Sequence, residues 1–110
     1  MAFQNIIISG NVGRDPEAKF MPDGTAITNF SVAVQDGKDH TEWFNVAAYR
    51  QQADVVRDYV NKGDRILVSG RLKTREYKGK DGETRKVTDL VADRVDLLER
   101  KKDRLPSEDI

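Results

Sequence analysis

An all-β domain, a five-stranded antiparallel barrel with one short helix between its third and fourth strands, is the fold class that the sequence predicts. Three observations point there. Apolar and polar residues alternate with a period of two in segments 27–34, 41–50 and 65–77. A single window, residues 51–63, switches to helical spacing, and glycine, proline and aspartate gather between the segments at turn positions.

Taken in order, residues 5–12, NIIISGNV, form a β-branched run interrupted by Gly10, which predicts a first strand with a bulge or bend. Two turn signals follow, Asp15-Pro16 and Pro22-Asp23-Gly24. In the second strand, residues 27–34, Thr28, Phe30, Val32 and Val34 share one face while Asn29 and Ser31 lie on the other with Gln35 beyond them. The third strand, residues 41–50, sets Phe44, Val46 and Ala48 against Thr41, Trp43, Asn45, Ala47 and Tyr49. Neighbours in a strand point to opposite faces, so if Phe44 claims the core, Trp43 and Tyr49 face outward. Phe3 and Phe30 are expected in the core.

The helical window carries Val55, Val56, Tyr59 and Val60 on one stripe, with Tyr59 expected to pack on the barrel and Gly63 placed to end the helix. In the fourth strand, residues 65–77, Ile66, Val68, Gly70, Leu72 and Thr74 occupy one side; Arg71, Lys73, Arg75 and Tyr77 occupy the other. KGKDG suits a hairpin tip, and residues 83–99 return as the fifth strand. Residues 1–99 are therefore expected to form the domain, and residues 100–110 a frayed tail without periodicity.

Composition narrows the chemistry. The 110 residues suffice for one domain with one core, and no apolar run approaches the roughly 20 residues that a membrane span requires. Met1-Ala2-Phe3-Gln4-Asn5 has neither the basic lead nor the apolar stretch of a signal peptide, so a cytoplasmic protein is expected. The absence of cysteine excludes disulfides, zinc-thiolate sites, iron-sulfur clusters and thiol nucleophiles. Nineteen basic and nineteen acidic residues cancel overall, but residues 62–86 hold nine basic against four acidic, a local surplus of five.

That surplus has two readings. Lys and Arg are ordinary on a solvated strand face. Tyr77 in their midst favours the other: a single-strand binder uses aromatic platforms, on which bases stack, interleaved with cations that meet phosphates. Trp43 and Tyr49 would extend the same surface, although a core or subunit contact is the ordinary place for a large aromatic.

Catalysis is not expected. His40, the single histidine, lies among Asp36, Asp39 and Glu42 without the fixed spacing of a metal site, so neither a metal nor any cofactor is assigned. Gly10-Asn11-Val12-Gly13 is not followed by the Gly-Lys-Ser/Thr of a phosphate-binding loop. The order strand, strand, strand, helix, strand, strand is that of the oligonucleotide- and oligosaccharide-binding (OB) barrel.

Five pieces, NIIISGNVGRDPE, DGTAITNFSVAV, TEWFNVAAY, DYVNKGDRILVSGRL and TREYKGKDGETR, occur in an order and spacing that resemble the bacterial-type single-stranded DNA-binding proteins over residues 5–98. The resemblance implies an OB fold, usually a homotetramer, that wraps single-stranded DNA without sequence preference in replication, recombination and repair, in the cytoplasm with the nucleoid. It implies base stacking by Trp43, Tyr49 and Tyr77 and phosphate contacts around Arg71, Lys73 and Arg75. Lys78, Lys62 and Arg14 complete the set of candidate phosphate contacts.

Two departures stand out. QDGKDHTE, before the third strand, lacks an aromatic that relatives often carry there. The final residues, LPSEDI, include Glu108 and Asp109 but not the terminal phenylalanine of the family's acidic tip, so recruitment of repair proteins through the tail is not expected. A primosome-type accessory protein and a protein-binding OB module are the alternatives, the latter using Trp43 and Tyr49 as interface anchors.

Overall fold

In the computed structural model, residues 3–103 are described. Strands β1 (Ile6–Val12), β2 (Glu17–Phe20), β3 (Ala26–Gln35) and β4 (Thr41–Tyr49) lead into helix α1 (Arg50–Tyr59), followed by β5 (Arg65–Lys78) and β6 (Thr84–Glu99). The pairings β1–β5, β5–β6, β4–β6, β3–β4 and β1–β3 close five strands into a ring. Among the described residues no helix is long and apolar enough to cross a membrane.

The ring departs from an all-antiparallel barrel at one seam. Val46, Ala47 and Ala48 pair in parallel with Leu90, Val91 and Ala92, and this closes the barrel. A sixth strand, β2, pairs with Ala26 to Asn29 of β3 as a hairpin outside the ring. All four of its residues are exposed, so it carries no alternation by which the sequence could reveal it.

The core follows the predicted faces. Thr28, Phe30 and Val32 of β3 point inward with Val46 and Ala48 of β4, Ile66 and Val68 of β5, and Leu90 of β6. Each fully buried large aliphatic stabilises the fold by roughly 1.5 to 3 kcal/mol relative to exposure. Phe44 and Val34 pack partly buried against this cluster. The β1–β5 register runs unbroken through Gly10, so there is no bulge at that pairing; Gly10 marks a close approach, where a Cβ would lie 2.2 Å from the Ala33 carbonyl oxygen. The register shifts fall in β6, where Asp93 and Leu98 have no partner in the β5 ladder.

Helix α1 lies over the barrel through Ala53 and Val56, and Val60, just past its end, is buried with them. Thr28 Oγ1 donates to the Ala53 carbonyl at 2.9 Å, and Gln52 Oε1 accepts from Val95 N at 3.0 Å. Two expectations are corrected: Tyr59 is 57% exposed and Phe3 is 90% exposed. Tyr59 falls about a quarter turn outside the buried stripe, and Phe3 precedes the first paired strand. The helix ends at Tyr59 with Val60 extended, leaving Gly63, at φ 87°, to shape the following turn instead of the cap.

Beyond Gly70, β5 leaves the barrel wall. Arg71 to Lys78 pair with Val91 to Thr84 as a projecting two-stranded ribbon, exposed on both sides along β5. The tail expected from residue 100 is not shapeless at its start, because Lys101–Asp103 form a 3-10 turn. Lys101 N donates to Asp64 Oδ1 at 3.0 Å, which ties that turn to the barrel. Residues 104–110 of the expected tail lie outside the described residues.

Candidate nucleic-acid interface

The outer face of the β3–β4 pair is laid down by strand alternation. Ile27 pairs with Tyr49, Asn29 with Ala47, Ser31 with Asn45 and Ala33 with Trp43. Small and amide side chains make a floor between two aromatics, where a planar group can lie without a steric obstacle. Over part of this floor opens a groove of about 500 Å³, lined by Asn29, Asn45, Ala47, Tyr49, Arg14 and Arg75 among others.

Tyr49, half-buried, ends β4 in extended geometry, and Arg50, at φ 55°, then turns the chain sharply into α1. A left-handed non-glycine residue costs roughly 1 to 2 kcal/mol, so the surrounding fold imposes this corner and with it the position of Tyr49. Trp43 is 60% exposed. Its ring edge lies over Gly13, where a Cβ would come 2.4 Å from Cζ3.

The ribbon supplies the remaining candidates. Arg71, Lys73, Arg75 and Tyr77 alternate onto one of its sides, and Tyr77 is 43% exposed. Arg75 Nε donates to Asp89 Oδ2 at 2.7 Å. That hydrogen bond, followed by the carboxylate's charge, raises the Arg75 pKa above its ordinary value, with smaller contributions from Tyr77 and Tyr49. Arg71 Nη2 sits 3.8 Å from Asp93 Oδ1.

The basic face is therefore less basic than the sequence implies. Arg71 and Arg75 have carboxylate partners, whereas no ion pair holds Lys73, Lys78, Lys62 or Arg14 among the described residues. In the groove, Arg14, Lys19 and Arg75 face Asp15, Glu17 and Asp89, three cations against three carboxylates. Such a groove is suited to bases, and the unpaired cations, Arg14 in the groove and Lys73, Lys78 and Lys62 outside it, to phosphates.

Tyr49, Arg75 and Arg14 thus meet in one groove, Trp43 continues the same sheet face, and Tyr77 stands on the same side of the ribbon as Arg75. Lys78 alternates onto the reverse side of the ribbon from Tyr77. Lys62, in the turn between α1 and β5, lines a different cavity. The sequence does not single out Asn45, Lys19 and Asp89; Asn45 sits on the Trp43 face by alternation, whereas Asp89 enters only because the β5–β6 pairing sets it beside Arg75.

Asp36, His40 and Glu42 bring ligand atoms within 4.8 Å of one another at the β3–β4 connection. All three are exposed, and His40 Nε2 lies 2.8 Å from Glu42 Oε1.

A five-strand ring with a capping helix and an open face of aromatics, amides and cations defines an OB-type binding module. The chain belongs to the single-strand binding protein family, whose family model matches residues 3–98. It is 39% identical over 106 residues to a single-stranded DNA-binding protein of Neisseria meningitidis serogroup A, covering 89% of this chain and 61% of that protein. It is 42% identical over 100 residues to a single-stranded DNA-binding protein of Clostridium tetani, covering 86% of this chain and 69% of the relative. A Bacteroides thetaiotaomicron single-stranded DNA-binding protein is 32% identical over 108 residues, 89% of this chain and 67% of its own length. The chain thus spans about three fifths of the length of the Neisseria relative.

Proposed function

We propose that the protein is a non-catalytic binder of single-stranded DNA, holding bases by stacking and the backbone by phosphate contacts, without sequence preference. The observation that carries this reading is the convergence of Tyr49, Arg75 and Arg14 on one open groove, with Trp43 farther along the same sheet face. Names of relatives that share 32–42% identity support it.

Bases enter over the β3–β4 floor, stack on Tyr49 and Trp43, and continue to Tyr77 on the ribbon. Each stacked base contributes about 1 to 3 kcal/mol. Phosphates run on the solvent side and meet Lys73, Arg71 and Arg14, and Lys78, on the reverse side of the ribbon, is reached where the strand rounds its tip. Duplex DNA is rejected because its bases are already stacked on one another. Release of counterions makes affinity fall with salt, at a slope of about −0.7 per neutralised phosphate.

The physiological setting is cytoplasmic, with the nucleoid, in replication, recombination and repair, and the assembly is a homotetramer. Exposed Ile7 and Leu98 and half-buried Leu67 on the outer β1–β5–β6 face support self-association. Light scattering at four times the monomer mass is expected.

The test is titration with an oligothymidine, following the emission of the single tryptophan at two salt concentrations, with an equal-length duplex as control. Tight, salt-weakened quenching by the single strand alone is expected. No quenching and no mobility shift would overturn the reading in favour of a partner-binding OB module.

A further inference from the structure

We propose that the α1-end of the barrel carries a second phosphate-binding station, built from Lys62, Arg100, Lys101 and Lys102, which takes the backbone of a single strand after it passes Arg14. This rests on the single-strand reading above. These four cations, with Asn61 and Asp64, line a cavity of about 410 Å³.

The charge balance there is unlike that of the groove. Among the described residues Asp64 is the one carboxylate that lines the cavity, 4% exposed. Its two oxygens are occupied by backbone donors, Oδ1 by Lys101 N at 3.0 Å and Oδ2 by Asn61 N at 2.9 Å. No carboxylate forms an ion pair with Lys62, Arg100, Lys101 or Lys102 among the described residues. Among the described residues, four cations against the internally engaged Asp64, with the Asp15 carboxylate held at the rim by Lys62 N, leave a positive surplus that attracts a polyanion.

The station is also built in advance of any ligand. Gly63 N donates to the Val12 carbonyl at 2.8 Å, and Val12 N donates to the Asp64 carbonyl at 2.9 Å. The turn that bears Lys62 is thereby fixed to the end of β1. The Lys101 stem crosses Gly63, with Cδ 2.6 Å from where a Cβ would stand. Asp64 joins this turn to the 3-10 turn by its bond to Lys101, 37 residues on, so two turns distant in sequence present their cations to one cavity.

Continuity with the groove identifies the ligand as phosphodiester backbone. Lys62 N donates to Asp15 Oδ1 at 2.9 Å, and Asp15 itself lines the groove beside Arg14. A strand leaving the groove at Arg14 therefore meets Lys62 next. The cavity offers no aromatic platform, so it takes phosphates and not bases.

The test compares the full chain with Lys101→Ala/Lys102→Ala and Lys101→Glu/Lys102→Glu variants, which leave the candidate contacts of the groove and ribbon untouched. Both positions are exposed, and equal thermal melts establish that the variants fold. Oligothymidines of increasing length are titrated against Trp43 emission. The shortest oligonucleotide that quenches should bind all three proteins within twofold. On the longest, the alanine variant should be about tenfold weaker, with a salt slope shallower by about 1.4 for two lost phosphate contacts, and the glutamate variant weaker still.

Identical length dependence and slope in variant and wild type would overturn the station. Loss of the length dependence in millimolar inorganic phosphate, relative to chloride of equal ionic strength, would overturn it in favour of a small-anion site. A wild type that binds no oligonucleotide of any length removes the single-strand reading itself, which is a different result.

Discussion

The indole of Trp43 lies over Gly13, close enough that a Cβ on Gly13 would stand 2.4 Å from Cζ3 and 2.8 Å from Ser31 Oγ. The end of β1 thus supports one side of an otherwise exposed ring. Gly13→Ala should push the indole off this seat at little cost to the fold, because the nearest obstructing atom, Cζ3, is the far end of an exposed side chain and the Ser31 hydroxyl can turn away about its single χ1. The expected outcome is a shifted Trp43 emission, a melting temperature within a few degrees of wild type, and single-strand affinity reduced threefold to tenfold. Tenfold is about 1.4 kcal/mol, so that loss lies at or below the low end of the roughly 1 to 3 kcal/mol of a whole stacked base. An unchanged affinity would mean that Trp43 stacks equally well without its support, or does not stack.

Asp89→Asn tests the electrostatics of the groove. The carboxylate is 17% exposed and holds Arg75 at 2.7 Å. Its removal turns an even balance of three cations and three carboxylates into a surplus of one cation. Single-strand affinity should rise severalfold at low salt, and the gain should shrink as salt screens it. Weaker binding at every salt concentration would show that Asp89 serves chiefly to aim Arg75, and fluorescence titration at three ionic strengths separates the two.

Gly70 occupies a different kind of close approach. A Cβ there would lie 2.0 Å from the Val91 carbonyl oxygen and 2.9 Å from its carbon. Backbone at a register shift cannot swing aside as an indole can, so Gly70→Ala must spread β5 from β6. Overpacking of this kind costs typically 1 to 3 kcal/mol. For a domain of this size each kcal/mol lowers the melting temperature by roughly 4 to 8 °C, so a loss of about 10 °C is expected by circular dichroism.

What the sequence disclosed was what burial had written into it. Strand alternation set Phe44 inward and Trp43 outward, and set Thr28, Phe30 and Val32 on one face, because each strand has one dry and one wet side. Strand β2 was hidden because neither of its sides is buried. Leu72 kept the phase of Ile66 and Val68 but is 41% exposed, since the alternation runs on after the barrel wall has ended. The parallel seam of Val46 with Leu90, the pairing of Arg75 with Asp89 and the approach of Lys101 to Asp64 are non-local, and no local pattern encodes them. Trp43, Tyr49 and Tyr77 stand out in the sequence because large aromatics on the polar phase of a strand conflict with its pattern. Lys62, an ordinary surface cation by composition, acquires its surroundings only from the fold.

Asp64→Asn tests the junction that organises the α1-end of the barrel. The carboxylate is 4% exposed and acceptor-only, with one backbone N–H on each oxygen. Asparagine keeps one acceptor and turns its NH2 toward the other N–H, so one of the two contacts, to Asn61 N or to Lys101 N, becomes donor against donor. A buried donor left unsatisfied costs about 1 to 3 kcal/mol. Release of the 3-10 turn relieves the clash more readily than reopening the turn at residues 61–64, because that turn is also held by Val12 through two backbone hydrogen bonds. The substitution should therefore lower stability by about 1 to 2 kcal/mol and speed hydrogen exchange at Lys101 more than at Asn61. Faster exchange at Asn61, with Lys101 still protected, would show that the 3-10 turn is the firmer half of the junction and that the order of support is reversed.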